Sequence, residues 1–119
     1  APVYAQNMRD YVRRGNRLML DTLGGSDYSE KAIVQYKKAL DMDSTFSISR
    51  YNLGNALIRQ SKPQEAMTEY LAAAKYETDK NRLSDIYHNM GVLLQSSKKY
   101  APRGLRHFMA SNSIVRSPK

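Results

Sequence analysis

A set of alanine, tyrosine and alanine occurs twice in this chain, and the two copies are 34 residues apart. Residues 32–39 contain Ala32, Tyr36 and Ala39, and residues 66–73 repeat the same three residues at the same spacing. Similarity at a fixed period of about 20–50 residues indicates a repeat architecture, in which each unit buries its apolar face against its neighbours. The period therefore constrains the fold more strongly than any local propensity does.

Glycine recurs upstream of both copies. Gly15-Asn16 matches Gly54-Asn55, and Gly54 has a further counterpart in Gly91. A glycine inside a helix costs about 1 kcal/mol relative to alanine, so glycines at matched positions indicate helices that approach one another closely. Periodicity and helix-ending residues predict six helices, at residues 5–21, 28–42, 45–60, 63–77, 81–97 and 101–115.

The pattern resembles the tetratricopeptide-repeat (TPR) family. In that family, small residues let two antiparallel helices approach closely, and an aromatic residue fills the space beside them. The second repeat matches this unit with Leu53, Gly54, Leu57, Ala66, Tyr70 and Ala73. The resemblance implies an all-α fold, a right-handed superhelix of antiparallel helix pairs with three TPR units. We expect one domain over residues 1–119, with repeat 1 at about 8–44 and an insertion at 22–27, repeat 2 at about 47–80, and a degenerate repeat 3 at about 84–117.

In TPR proteins the first helix of each unit lines a concave groove that binds a peptide or a partner protein. The resemblance places eleven residues of this chain in such a groove: Arg9, Val12, Arg13, Asn16, Tyr51, Asn52, Asn55, Arg59, Asp85, His88 and Asn89. Asparagine side chains both donate and accept hydrogen bonds, so a row of them suits the backbone of an extended peptide. We expect Asn55→Ala to weaken binding and to leave folding unchanged.

One TPR subgroup grips a C-terminal carboxylate with asparagines and cations. Asn16 and Asn52 match its asparagines, but three of its cation positions hold Val12, Asp85 and Asn89. The sequence therefore predicts a peptide-binding scaffold and argues against this carboxylate clamp.

Residues suited to catalysis or metal binding are scarce. The chain has no cysteine, and its two histidines, His88 and His107, fall on different predicted helices without a metal-ligand spacing. Asp85 precedes His88 by one helical turn, which makes a hydrogen-bonded pair the simplest reading. We expect a protein that is not an enzyme and that uses no cofactor and no metal.

The positive charge of the chain is concentrated near its C-terminal end. The formal net charge is +8, and after Asp85 there are six basic residues and no acidic one: Lys98, Lys99, Arg103, Arg106, Arg116 and Lys119. Clustered cations neutralise phosphates, so a nucleic-acid-binding module that uses this segment is an alternative function. Another alternative is a structural role in homo-oligomerisation, because a repeat array without a capping helix exposes apolar surface at its end.

The cellular location is indicated only weakly. Val3-Tyr4-Ala5 fits the small-residue pattern that precedes a signal-peptidase cleavage site, and an arbitrary chain boundary explains it equally well. The segments 51–55 and 87–91 are similar to the TPR proteins of bacterial aerotolerance (Bat) operons. That similarity implies an exported or periplasmic bacterial scaffold that meets a membrane only through its partners; otherwise we expect a cytoplasmic protein.

Overall fold

A computed structural model of the protein describes residues 3–21 and 27–96. These residues form five α-helices and no strand: α1 (Val3–Leu20), α2 (Ser29–Met42), α3 (Ser47–Arg59), α4 (Pro63–Tyr76) and α5 (Lys80–Ser96). The predicted all-α repeat fold is confirmed, and the first five predicted helices agree with the observed ones within about two residues. The predicted sixth helix and most of the insertion at 22–27 lie outside the described residues.

The turn between α3 and α4 shows how local chemistry ends one helix and begins the next. The N–H of Lys62 donates to the carbonyl of Leu57, and that of Ser61 donates to Ile58, at 2.9 Å each. This Schellman pattern requires a left-handed residue after the helix, and Ser61 supplies it with a φ of 58°. Pro63 then starts α4, where its missing N–H leaves no hydrogen bond unmade.

Each of the first two helix pairs is closed by a tyrosine that lies against a glycine. Tyr36 and Tyr70 are 1% and 2% exposed. A Cβ atom placed on Gly15 would lie 2.5 Å from Cε1 of Tyr36, and one on Gly54 would lie 2.5 Å from Cε1 of Tyr70. That separation is far inside van der Waals contact, so no side chain fits at either glycine while the ring keeps its place. Alanines that are fully buried flank these rings: Ala32, Ala39, Ala66 and Ala73.

Polar contacts join one repeat to the next. The buried Ser49 hydroxyl donates to the carbonyl of Tyr36 at 2.8 Å, which links α3 to α2. Arg59 donates from Nη1 to the carbonyl of Met19 at 2.6 Å and so links α3 to α1. Because a carbonyl near the end of a helix has no partner within that helix, the second bond satisfies an acceptor that α1 leaves open.

A buried carboxylate connects the loop after α4 to both neighbouring first helices. The side chain of Glu77 is 3% exposed. It accepts hydrogen bonds from the Ser47 hydroxyl at 2.7 Å, from the backbone N–H of Asp79 at 3.0 Å and from Arg82 Nε at 3.0 Å. Burial by itself raises the pKa of Glu77, but the bonds from Arg82, Ser47 and Asp79 outweigh it and lower the pKa from 4.5 to about 2.

Replacing Gly54 with alanine should destabilise the protein. Helix propensity alone favours the alanine by about 1 kcal/mol, whereas the overlap with the Tyr70 ring should cost about 1–3 kcal/mol net. Urea denaturation of wild type and Gly54→Ala gives the difference in the free energy of unfolding. In a Tyr70→Leu background the same glycine substitution should be neutral or stabilising. An equal destabilisation in both backgrounds would show that the ring contact is not the cause.

Replacing Glu77 with glutamine should remove part of the acid sensitivity of the fold. Because the pKa of Glu77 is lower in the folded state than in the unfolded chain, its stabilisation is complete above about pH 4.5 and disappears as the pH falls towards 2. The stability difference between wild type and Glu77→Gln should therefore shrink across that window. Glu65→Gln, which removes an exposed carboxylate in the first turn of α4, serves as the matched control.

Candidate peptide-binding groove

The groove face of α1 carries a stripe of exposed residues. Arg9, Arg13, Asn16 and Leu20 follow one another at spacings of four, three and four, which places them on one side of a helix. All four are exposed, and Leu20 is 81% exposed. The stripe changes from cationic near the start of α1 to apolar at its end.

Three depressions lie between the first helices of the repeats. The depression between α1 and α3 has a volume of about 270 Å³ and is lined by Asn16, Met19, Leu20, Tyr36, Asn52 and Asn55. Near the start of α5, a second one of about 240 Å³ is lined by Ile48, Tyr51, Asn52, Glu77, Arg82, Asp85 and Ile86. Further along α5, a third one of about 260 Å³ is lined by Asn55, Ile58, Tyr70, Asn89, Val92, Leu93 and Ser96. Asn52 and Asn55 are each shared by two depressions, so the three lie next to one another along α3, and we call this row of depressions the groove.

The buried tyrosines hold the groove asparagines in place. The Tyr36 hydroxyl donates to Oδ1 of Asn16 at 2.7 Å, and the Tyr70 hydroxyl donates to Oδ1 of Asn55. Burial raises the pKa of Tyr36 and of Tyr70 to about 12, so at neutral pH each hydroxyl keeps the proton that it donates. With its oxygen bound to the tyrosine, each amide keeps an NH₂ group that makes no hydrogen bond to another described residue.

A third asparagine extends this network from α5. Asn89 Nδ2 donates to Asn55 Oδ1 at 2.9 Å and to the Tyr51 hydroxyl at 3.0 Å. Both of its amide protons are therefore used inside the protein, which leaves its oxygen as the available acceptor. The groove thus offers amide donors at Asn16 and Asn55 and an amide acceptor at Asn89.

Ten of the eleven predicted groove residues line a depression or are exposed on α1, α3 and α5. Six line the depressions: Asn16, Tyr51, Asn52, Asn55, Asp85 and Asn89. Four others are exposed on the same three helices: Arg9, Arg13, Arg59 and His88. Val12 is an exception, because it is 6% exposed and belongs to the hydrophobic core. It lies about 60° around α1 from Arg9, on the side that packs inward, so its placement in the groove is corrected.

The expectation that Asn55→Ala leaves folding unchanged is also corrected. Asn55 Oδ1 accepts hydrogen bonds from both Tyr70 and Asn89. Its removal leaves the hydroxyl of a buried tyrosine without this acceptor, and such a loss costs about 1–3 kcal/mol. Asn52 makes no hydrogen bond to any residue in the described ranges. Replacing Asn52 with alanine therefore tests binding without removing a bond that stabilises the fold.

Two apolar groove residues were missed in the sequence analysis. Leu20 follows Asn16 by four residues, and Val92 follows Asn89 by three, so both lie on faces already assigned to the groove. This spacing was the available signal. The residue types did not suggest a groove position, since isoleucine, leucine and valine at such positions are usually core residues.

Potential metal ligands do not cluster in the described residues. Within residues 3–21 and 27–96 no group of three or more histidine, aspartate or glutamate side chains could hold a metal ion. His88 is exposed, and in the same ranges no hydrogen bond joins it to Asp85. Among the described helices, none is both long and apolar enough to cross a membrane.

Comparison with known families agrees with the helical pattern. The family model described as tetratricopeptide repeat matches residues 35–68, which run from within α2 through α3 into α4. The chain therefore contains a tetratricopeptide repeat over residues 35–68. TPR units generally form scaffolds that bind other proteins or peptides on extended concave surfaces. No curated protein and no solved structure matched the chain. The similarity to Bat-operon proteins therefore stays a prediction.

Proposed function

We propose that this protein binds an extended segment of a partner protein in the groove between α1, α3 and α5. One observation carries the proposal: buried tyrosines donate to the side-chain oxygens of Asn16 and Asn55, which leaves the NH₂ group of each amide without a hydrogen-bond partner among the described residues. Oriented donors of this kind match the carbonyl oxygens of a peptide backbone, whose positions do not depend on sequence. The eleven groove positions, except the buried Val12, belong to this proposed surface.

Preorganisation explains how such a surface can bind usefully. A flexible amide loses rotational freedom when it meets a ligand, and this loss subtracts from affinity. The bonds from Tyr36 and Tyr70 restrict Asn16 and Asn55 before any ligand arrives. Asn52, which lines two of the depressions, adds an amide that is not engaged with other described residues.

The test uses peptides selected from a random library of twelve-residue sequences displayed on phage. A selected peptide is titrated calorimetrically against wild type, Asn52→Ala and Asn16→Asp. Asn16→Asp retains an oxygen for the Tyr36 hydroxyl but replaces the N–H donor with a second acceptor. Each substitution should weaken binding by about five- to hundredfold, which corresponds to the loss of a hydrogen bond worth about 1–3 kcal/mol.

A matched control is available on the same helix. Asn7 is exposed on the side of α1 that faces away from the groove stripe, so Asn7→Asp adds the same charge without changing the groove. It should bind the selected peptide as wild type does. If both groove variants, Asn52→Ala and Asn16→Asp, retained full affinity, or if the library yielded no binder, binding through the groove would be refuted.

The remaining functional expectations concern other parts of the chain or its surroundings. The basic residues behind the nucleic-acid alternative, and the chain end behind the self-association alternative, lie after residue 96 and outside the described residues. No observation on the described helices favours either one over peptide binding. An exported or periplasmic location stays part of the proposal, with the partner supplying any attachment to a membrane.

A further inference from the structure

The C-terminal part of the groove is apolar. Leu20 on α1, Ile58 on α3 and Val92 on α5 are 81%, 39% and 49% exposed, and they are three of the large hydrophobic residues that the described helices leave most open. Ile58 and Val92 line one depression together with Leu93, and its polar residues include the bonded group of Asn55, Tyr70 and Asn89. Exposed apolar side chains are ordinary when they are scattered, but three on one face of the groove form a surface that a ligand can cover.

The opposite part of the groove face on α1 is cationic. Arg9 and Arg13 are one turn apart on the exposed stripe, and the only acidic contact that either makes within the described residues is the exposed pair of Arg13 with Asp10. Such surface pairs contribute little, so both arginines can interact with a ligand. Arg59 lies beside the apolar residues and donates one N–H to the carbonyl of Met19. Its other N–H groups remain available as donors to a ligand.

The separation of the two features follows from helix geometry. Arg13 and Leu20 are seven residues apart in α1, which corresponds to about 10 Å along the helix axis. An extended peptide covers about 10 Å in three residues. A ligand that runs along α1 would therefore meet the cationic and the apolar features with side chains about three positions apart.

We infer that the ligand is an acidic peptide segment with a large apolar side chain about three residues from an aspartate or glutamate. The apolar side chain lies against Leu20 at the end of α1, and the carboxylate meets Arg9 and Arg13. This inference rests on the proposed function and adds the chemical class of the ligand to it. Charge complementarity selects the acidic flank, since a basic segment would be repelled from this end of α1.

The sequences selected from the random twelve-residue library provide the first test. They should be enriched in leucine, isoleucine, phenylalanine or methionine with aspartate or glutamate about three positions away. Selected sequences that are basic, or that lack a large apolar residue, would overturn the inference. Binding that still depends on Asn52 would in that case leave the proposed groove in place, so the two failures are distinguishable.

Titration of one selected peptide against surface variants provides the second test. Leu20→Ser should weaken binding at least tenfold, whereas Val34→Ser should have no effect, because Val34 is also exposed but lies on α2 outside the groove. Arg9→Gln combined with Arg13→Gln should weaken binding several-fold and reduce its dependence on salt, while Lys37→Gln on α2 should not. Equal effects of Leu20→Ser and Val34→Ser, or an affinity that does not change when both arginines are replaced, would overturn the assigned ligand chemistry.

Discussion

The contact between a glycine in the first helix of a repeat and a tyrosine ring in the second supports the rest of this structure. Gly15 with Tyr36, and Gly54 with Tyr70, bring α1 onto α2 and α3 onto α4 at a separation that admits no side chain on the glycine. Two large rings are thereby almost wholly buried. The contact costs helix propensity at both glycines, and the burial of two aromatic rings offsets that cost.

The same tyrosines connect the core to the groove. A buried hydroxyl requires a partner, and in each repeat the partner is the asparagine that directly follows the glycine. One Gly-Asn pair therefore serves two purposes: the glycine admits the ring, and the asparagine accepts its hydroxyl proton. Because the asparagine oxygen is occupied by the core, its NH₂ group is left for the groove. Packing in the interior thus determines which hydrogen-bonding group is available to a ligand.

The sequence predicted the helices well because their signals are local and periodic. A 34-residue recurrence, matched glycines and Pro63 are all readable without a structure, and the observed helices follow them. Hydrogen-bond partners were not predictable in this way, since they depend on side-chain rotamers. The buried Glu77, which binds residues from α3 and α5, looks like an ordinary loop carboxylate in the sequence. The position of Glu77 in the sequence did not indicate that Ser47, Asp79 and Arg82 would donate hydrogen bonds to it.

The error at Val12 has a specific physical cause. Val12, Tyr51 and His88 are at equivalent positions of the three predicted repeats, yet they are buried, half-buried and exposed, respectively. This position lies at the border between groove and core, where a turn of the helix by a few tens of degrees decides exposure. A repeat alignment assigns one environment to all three residues, so it cannot represent the difference in their exposure. The structure separates them because each helix has different neighbours.

The most direct test asks whether the buried tyrosines orient the groove asparagines. It measures peptide binding by variants in which a buried tyrosine loses only its hydroxyl. Tyr36→Phe and Tyr70→Phe keep the ring against the glycine but remove the hydrogen bond from the hydroxyl to the asparagine oxygen, and neither hydroxyl needs to touch the ligand. The account predicts folded proteins whose affinity for a selected peptide falls several-fold, for a hydrogen bond worth about 1 kcal/mol. Tyr76→Phe, at an exposed tyrosine of α4, should bind as wild type does. Unchanged affinity in both buried-tyrosine variants would contradict the claim that these tyrosines prepare the groove.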